Sequence, residues 1–97
     1  MQISKTQEFV DNVRATKDVR LGVIITSRLK RAEGGNLGDT KSVGDGVSEM
    51  RIHYGAGYRL YYAIRGQEII FMLCAGPKSD QKKDIKRAKE LNKEVWI

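Results

Sequence analysis

The chain has little of what covalent, metal or secretory chemistry needs. It contains one cysteine, one histidine and one proline in 97 residues. A lone Cys74 excludes an internal disulfide, and the expected compartment is the cytoplasm. One histidine and one cysteine cannot build a His/Cys zinc site, so no metal and no cofactor are expected. A serine triad could use only His53, and no nucleophile elbow is present. The longest apolar runs are Leu21–Ile25 and Ile69–Gly76. Both fall short of the roughly 18–20 residues that span a bilayer. The opening MQISKTQEFV has no apolar core. Neither a secretory signal nor a membrane partner is expected.

What is present suits one small domain over residues 1–97. Hydrophobic residues make up 40% and charged residues 31%, enough for a modest core and too apolar for disorder. Eighteen basic against 12 acidic residues leave a net charge of +6. A polyanion or an acidic protein would suit such a chain. The excess is uneven. Residues 1–33 and 78–97 each hold seven basic and four acidic residues, and residues 34–77 hold four of each.

The hydrophobic periods define the elements. Gln2–Lys5 reads as a short strand. Thr6 is placed to cap a helix containing Phe9, Val10 and Val13. Asp18 is placed to cap a second helix with Leu21, Ile24, Ile25, Leu29 and Ala32 on one side, ended by Gly34-Gly35. Gly22 inside it costs about 1 kcal/mol against alanine. The glycine-rich stretch Asn36–Gly46 reads as a loop. Val47–His53 alternates with period two. Tyr58–Arg65 follows after Gly55-Ala56-Gly57, with Tyr58, Leu60 and Tyr62 on one face and Arg59 and Tyr61 on the other. Gly66-Gln67 leads into the nearly all-apolar Glu68–Cys74, expected to be a central strand. Asp80–Glu94 is a last helix with a narrow stripe of Ile85, Ala88 and Leu91 among lysines. The expected class is α+β: a short N-terminal strand, a helical hairpin, a three-stranded antiparallel meander and a C-terminal helix. The hairpin would cover one sheet face and leave the other partly open. Trp96 is expected to pack or to meet a partner.

The run Lys41–Tyr62 resembles the middle of the RelE/ParE superfamily, and more closely its HigB-like branch of addiction-module killer proteins. Leu73–Ile85 is similar to the strand-to-helix junction of the same family, and Lys5-Thr6-Gln7-Glu8-Phe9 to its N-terminus. The resemblance implies a RelE-like fold and the toxin of a type II toxin–antitoxin pair. Its relatives imply a ribosome-dependent mRNA endonuclease (an mRNA interferase) that needs no metal. They also imply two partners besides the ribosome-bound mRNA: the ribosome itself and a cognate antitoxin, a helix-turn-helix DNA-binding protein. ParE-type relatives poison DNA gyrase on a similar fold, so that alternative stays open, as does a non-toxic RNA-binding domain.

Metal-free RNA cleavage needs a base for the 2′-hydroxyl, cations for the phosphorane and an acid for the leaving oxygen. Arg59 stands where RelE-like enzymes keep a phosphate-binding arginine, and its fork suits phosphate. Arg51 and His53 share a strand face. Histidine titrates near neutrality, so His53 is the natural acid or base. Lys78 follows Gly76-Pro77, where RelE has an arginine. Tyr61, exposed beside Arg59, could stack a base. Lys82, Lys83 and Lys86 could touch RNA. Each has a plainer alternative: Arg59 pairing with Glu49 or Glu68, Arg51 facing water, His53 flanking a turn, Lys78 decorating a helix start, Tyr61 in a cross-strand pair, the helix lysines solvated. Two positions depart from the family pattern. Relatives often carry an acidic residue at the position of His53, and the tyrosine early in RelE's last helix is replaced here by a segment with Lys82 and Asp84.

Overall fold

The computed structural model describes residues 1–95; Trp96 lies outside them, and so does its expected contact. The helix caps are the ones the sequence offers. Thr6 Oγ1 accepts from Phe9 N at 2.9 Å and opens α1, Gln7–Ala15. Asp18 Oδ1 accepts from Leu21 N at 3.1 Å and opens α2, Val19–Glu33. Each cap satisfies an amide that has no partner inside its helix. Before them lies β1, Gln2–Lys5. Four further strands follow: β2 Thr40–Gly44, β3 Val47–Ile52, β4 Tyr58–Arg65 and β5 Ile69–Pro77. A 3₁₀ turn at Lys78–Asp80 leads into α3, Gln81–Val95.

The class is α+β, but the sheet is larger than a meander. It has five strands in the order β1-β5-β4-β3-β2. β1 runs parallel to β5, with Gln2 opposite Ile69 and Lys5 opposite Met72. The other pairs are antiparallel. The expected loop Asn36–Gly46 is corrected, because its second half is the edge strand β2. The turn between β2 and β3 is Asp45-Gly46, with φ of 55° and 76°. Two consecutive left-handed residues are what a type I′ hairpin turn requires, and an Asp-Gly pair supplies them at little strain.

A second correction concerns the sheet's free face. One face packs Met50, Ile52, Leu60, Tyr62, Ile70 and Met72 against Phe9, Leu21, Ile25 and Leu29 of α1 and α2. The other is not open. Val47, Tyr61, Ala63, Leu73 and Cys74 pack there against Ala88 and Leu91 of α3. A register shift opposite Tyr61 and Tyr62 skips one residue of β5, Leu73, which joins its neighbour Cys74 on the α3 face. Such a bulge breaks the strict alternation of a strand. The narrow stripe of α3 is therefore enough to close a second small core.

Candidate functional site

The chemistry-bearing residues gather at the end of the sheet where β3 ends, β4 begins and β5 runs into the 3₁₀ turn. Arg51 of β3 lies directly opposite Arg59 of β4. Directly opposed residues hold their Cβ atoms about 4.5–5.5 Å apart, and like charges in that relation repel. Each arginine meets its own carboxylate. Arg51 Nη2 donates to Asp39 Oδ1 at 2.8 Å, and Nε does so at 3.1 Å. Arg59 Nε lies 3.9 Å from Glu49 Oε2.

Asp39 also accepts His53. The imidazole Nε2 lies 2.6 Å from Asp39 Oδ2, on a ring that is 71% exposed. The hydrogen bond from His53, and then that from Arg51, hold the Asp39 carboxyl below the usual aspartate range. The backbone around Asp39 is fixed as well. Its carbonyl accepts from Arg51 N at 2.9 Å. Arg28 of α2 reaches across to the carbonyls of Arg51 (2.7 Å), Leu37 (3.3 Å) and Asp39 (3.3 Å). One buried-side guanidinium thus ties the α2–β2 connection to the end of β3.

Lys78 joins the group through the backbone: its N–H donates to Gly57 O at 3.0 Å. Gly57 is the point of closest approach. A Cβ there would stand 3.4 Å from Lys78 Cβ and 3.6 Å from Arg59 Nη1. Lys78 is exposed, and Arg51 is partly so. The structure therefore brings together Arg51, His53, Arg59 and Lys78, drawn from two strand ends and a turn.

Two expectations change in detail. Arg59 is not a surface residue: it is 6% exposed, Nη1 donates to the Tyr58 carbonyl at 3.3 Å, and Nε has no hydrogen-bond partner. Tyr61 is not an exposed stacking platform. It is 0% exposed, and Tyr62 is buried on the other face, because α3 covers the face expected to be open. Lys82, Lys83 and Lys86 are exposed on α3 as expected, with Lys83 Nζ 3.8 Å from Asp80 Oδ2.

Asp39, Glu49 and Gln81 complete the picture. Gln81 Nε2 donates to Glu49 Oε2 at 2.7 Å, so the first residue of α3 holds the carboxylate that faces Arg59. Asp84 packs against Gly76, and its Oδ2 is buried without a hydrogen-bond partner. Burial raises the Asp84 carboxyl above the ordinary range. Cys74 is buried and free, and burial pushes its thiol up to about 12, as befits an inert packing residue. Among the described residues no group of three or more His, Cys, Asp and Glu side chains could hold a metal ion. No helix among them is long and apolar enough to cross a membrane.

Fold and site together define an α+β protein with a mixed five-stranded sheet and a cluster of basic side chains at one end of it. The chain belongs to the Gp49-like family. The model of that family, described as "Phage derived protein Gp49-like (DUF891)", matches residues 13–93, a span that contains every cation of the cluster. This is a HigB-like family of toxins from toxin–antitoxin pairs. A protein of Haemophilus influenzae described as an uncharacterized protein is 43% identical over 97 residues, covering 100% of this chain and 98% of its own. No solved structure matches the chain.

Proposed function

We propose that the protein is a ribosome-dependent mRNA endonuclease whose cleavage site is the sheet-end cluster. The observation that carries the reading is the cross-strand pair Arg51–Arg59. Two arginines stand directly opposite each other, each beside a carboxylate (Asp39 for Arg51, Glu49 for Arg59), and a phosphate is the ligand whose charge and geometry suit such a pair. His53 stands on the accessible side of the pair, with its ring oriented by Asp39 at 2.6 Å. A carboxylate behind an imidazole fixes the tautomer and the aim of the free nitrogen. His53 would take the proton of the 2′-hydroxyl as it attacks the adjacent phosphorus. Lys78 and Arg51 would meet the equatorial oxygens of the phosphorane. The buried Arg59 would add positive potential from beneath, in surroundings where charge is screened little. The bond from phosphorus to the 5′-oxygen breaks, and that oxygen takes a proton from solvent water as the 2′,3′-cyclic phosphate forms. The exposed lysines of α3 would rest on ribosomal RNA, and a cognate antitoxin would be the controlling partner.

The test is primer extension on an mRNA under translation by purified ribosomes, with and without the protein. The wild-type chain should cut within the ribosomal A site. His53→Gln and Lys78→Ala, both surface changes that leave the core intact, should slow cutting by about 10²–10⁴-fold, the range of a lost acid–base group or cation. Intact mRNA together with DNA breaks in the host would refute the reading and point to gyrase.

A further inference from the structure

The turn that follows β5 touches the surroundings of Arg59 at both ends of the guanidinium. At the Nη1 end, Lys78 N donates to Gly57 O at 3.0 Å, and a Cβ on Gly57 would stand 3.6 Å from Arg59 Nη1. At the Nε end, Gln81 Nε2 donates to Glu49 Oε2 at 2.7 Å, and that same oxygen lies 3.9 Å from Arg59 Nε. Lys78 opens the 3₁₀ turn, and Gln81 is the first residue of α3 directly after it. One short segment is therefore fixed at two points, one on each side of Arg59. The strand register supplies the carboxylate. Glu49 pairs directly with Tyr61, so Arg59, two residues earlier on β4, is its diagonal neighbour. Diagonal neighbours stand about 7–8 Å apart, within reach of long side chains.

As a device for stability this arrangement is poor. Arg59 is 6% exposed and Glu49 3%. Burying both charges costs hydration, and only a close, fully hydrogen-bonded contact offsets that loss. Here Arg59 Nε has no hydrogen-bond partner. Glu49, by contrast, is firmly held by Gln81. A carboxylate fixed in this way, just beyond hydrogen-bond distance, attracts the Nε end of the guanidinium and leaves the Nη1 end beside Gly57 and Lys78. We infer that Glu49 and Gln81 are positioning residues, which aim Arg59 at the phosphate handled by the sheet-end cluster. The purpose of the device rests on the cleavage reading above; its geometry does not. Without the bond from Gln81, Glu49 is free to close on Nε and draw the guanidinium back. Without the charge of Glu49, nothing holds the Nε end. A misplacement of about 1 Å is enough to cost on the order of 10²-fold in rate.

The test uses the full chain with Glu49→Gln, with Gln81→Leu, and with the swap Glu49→Gln/Gln81→Glu, which keeps an amide–carboxylate pair and moves the charge. The first readout is the Arg59 Nε–H signal in proton–nitrogen correlation spectra. Arg87, whose Nε donates to Glu8 at 3.0 Å, is the internal reference. The Arg59 signal should move in both single variants and return part of the way in the swap, with Arg87 unmoved. The second readout is single-turnover cutting of mRNA on translating ribosomes. Its maximal rate should fall about 10–100-fold in the single variants and recover in part in the swap. The half-saturating concentration should stay within about twofold of the wild type, since Arg59 is buried and does not dock the protein. An Arg59 signal that stays in place in both single variants would overturn the proposal. So would variants that melt earlier while the folded protein cuts at the wild-type rate, because the pair would then serve the fold alone. A wild type that cuts nothing would sink the cleavage reading, and the Arg59 signal would still decide whether Glu49 and Gln81 place the guanidinium.

Discussion

Tyr61 shows how a single side chain can carry an unfavourable polar atom inside an otherwise apolar layer. Its ring fills the core between β4 and α3, and its hydroxyl is buried with no hydrogen-bond partner. Burial first, and then the charges of Glu49 and Asp84, raise its ionisation well above the ordinary tyrosine value, so it stays neutral. A buried hydroxyl left unbonded costs about 1–3 kcal/mol in lost hydration. Tyr61→Phe removes the oxygen and keeps the ring. Its expected effect is a gain of about 1 kcal/mol in unfolding free energy, read from urea denaturation followed by circular dichroism. A loss of similar size would mean that the hydroxyl is bonded in solution. At this scale much of the site was legible. The alternation of Arg51 and His53, the placement of Arg59 and the Gly-Pro-Lys junction at Lys78 all identify residues that the fold brings together. Asp39 was not legible, because its partners lie 12 and 14 residues away and no local motif marks it. The burial of Arg59 and Tyr61 was missed for a different reason: it depends on α3, an element 20 residues downstream folding back over their face.

Among the elements, the β2–β3 hairpin links fold to site, because it delivers Asp39 to Arg51 and His53. The strands with strong apolar content were readable from period two. β2 was not, since Thr40–Gly44 holds Val43 as its one large apolar residue and lies at the sheet edge. Its signal was the turn and not the strand: Asp45-Gly46 between Val43 and Val47 is a hairpin turn pair. The hairpin's anchor should respond to acid in a defined direction. Because the folded Asp39 carboxyl titrates below its unfolded value, its ion pairs stabilise the fold above the unfolded pKa of about 3.9. That contribution disappears as the pH falls through the lower folded value. The side chain is 39% exposed, so solvent screens the pairing and the contribution is modest. Asp39→Asn should therefore melt at a lower temperature than the wild type near neutral pH. The gap should narrow as the pH drops below about 4. Melting curves across that range check it; a gap that widens in acid would contradict the assigned direction.

For the whole molecule, the fold divides the net charge of +6 between two sides of one sheet. The basic N-terminal segment forms α1 and α2, which cover one face, and the basic C-terminal segment forms α3, which covers the other. A single flat polyanion cannot lie against both. By charge alone either end of the chain could meet a polyanion, and the architecture sets the two on opposite faces of the sheet. The exposed Lys82, Lys83 and Lys86 lie on α3, whose first residue, Gln81, contacts Glu49 beside Arg59, so the α3 side is the one that faces the ribosome if the cluster cuts mRNA. Each lysine that neutralises an RNA phosphate releases a counterion, and binding then falls with salt at a slope of about 0.7–0.9 per contact on logarithmic axes. Replacing the three lysines by glutamine should lower the salt slope of ribosome binding by up to about 2–3 units. Replacing Arg14, Lys17 and Arg20 on the opposite side should leave that slope unchanged. Filter binding of the labelled protein to ribosomes over a salt series measures both. Equal losses from the two sets would show that the protein presents its edge, and not the α3 face, to RNA.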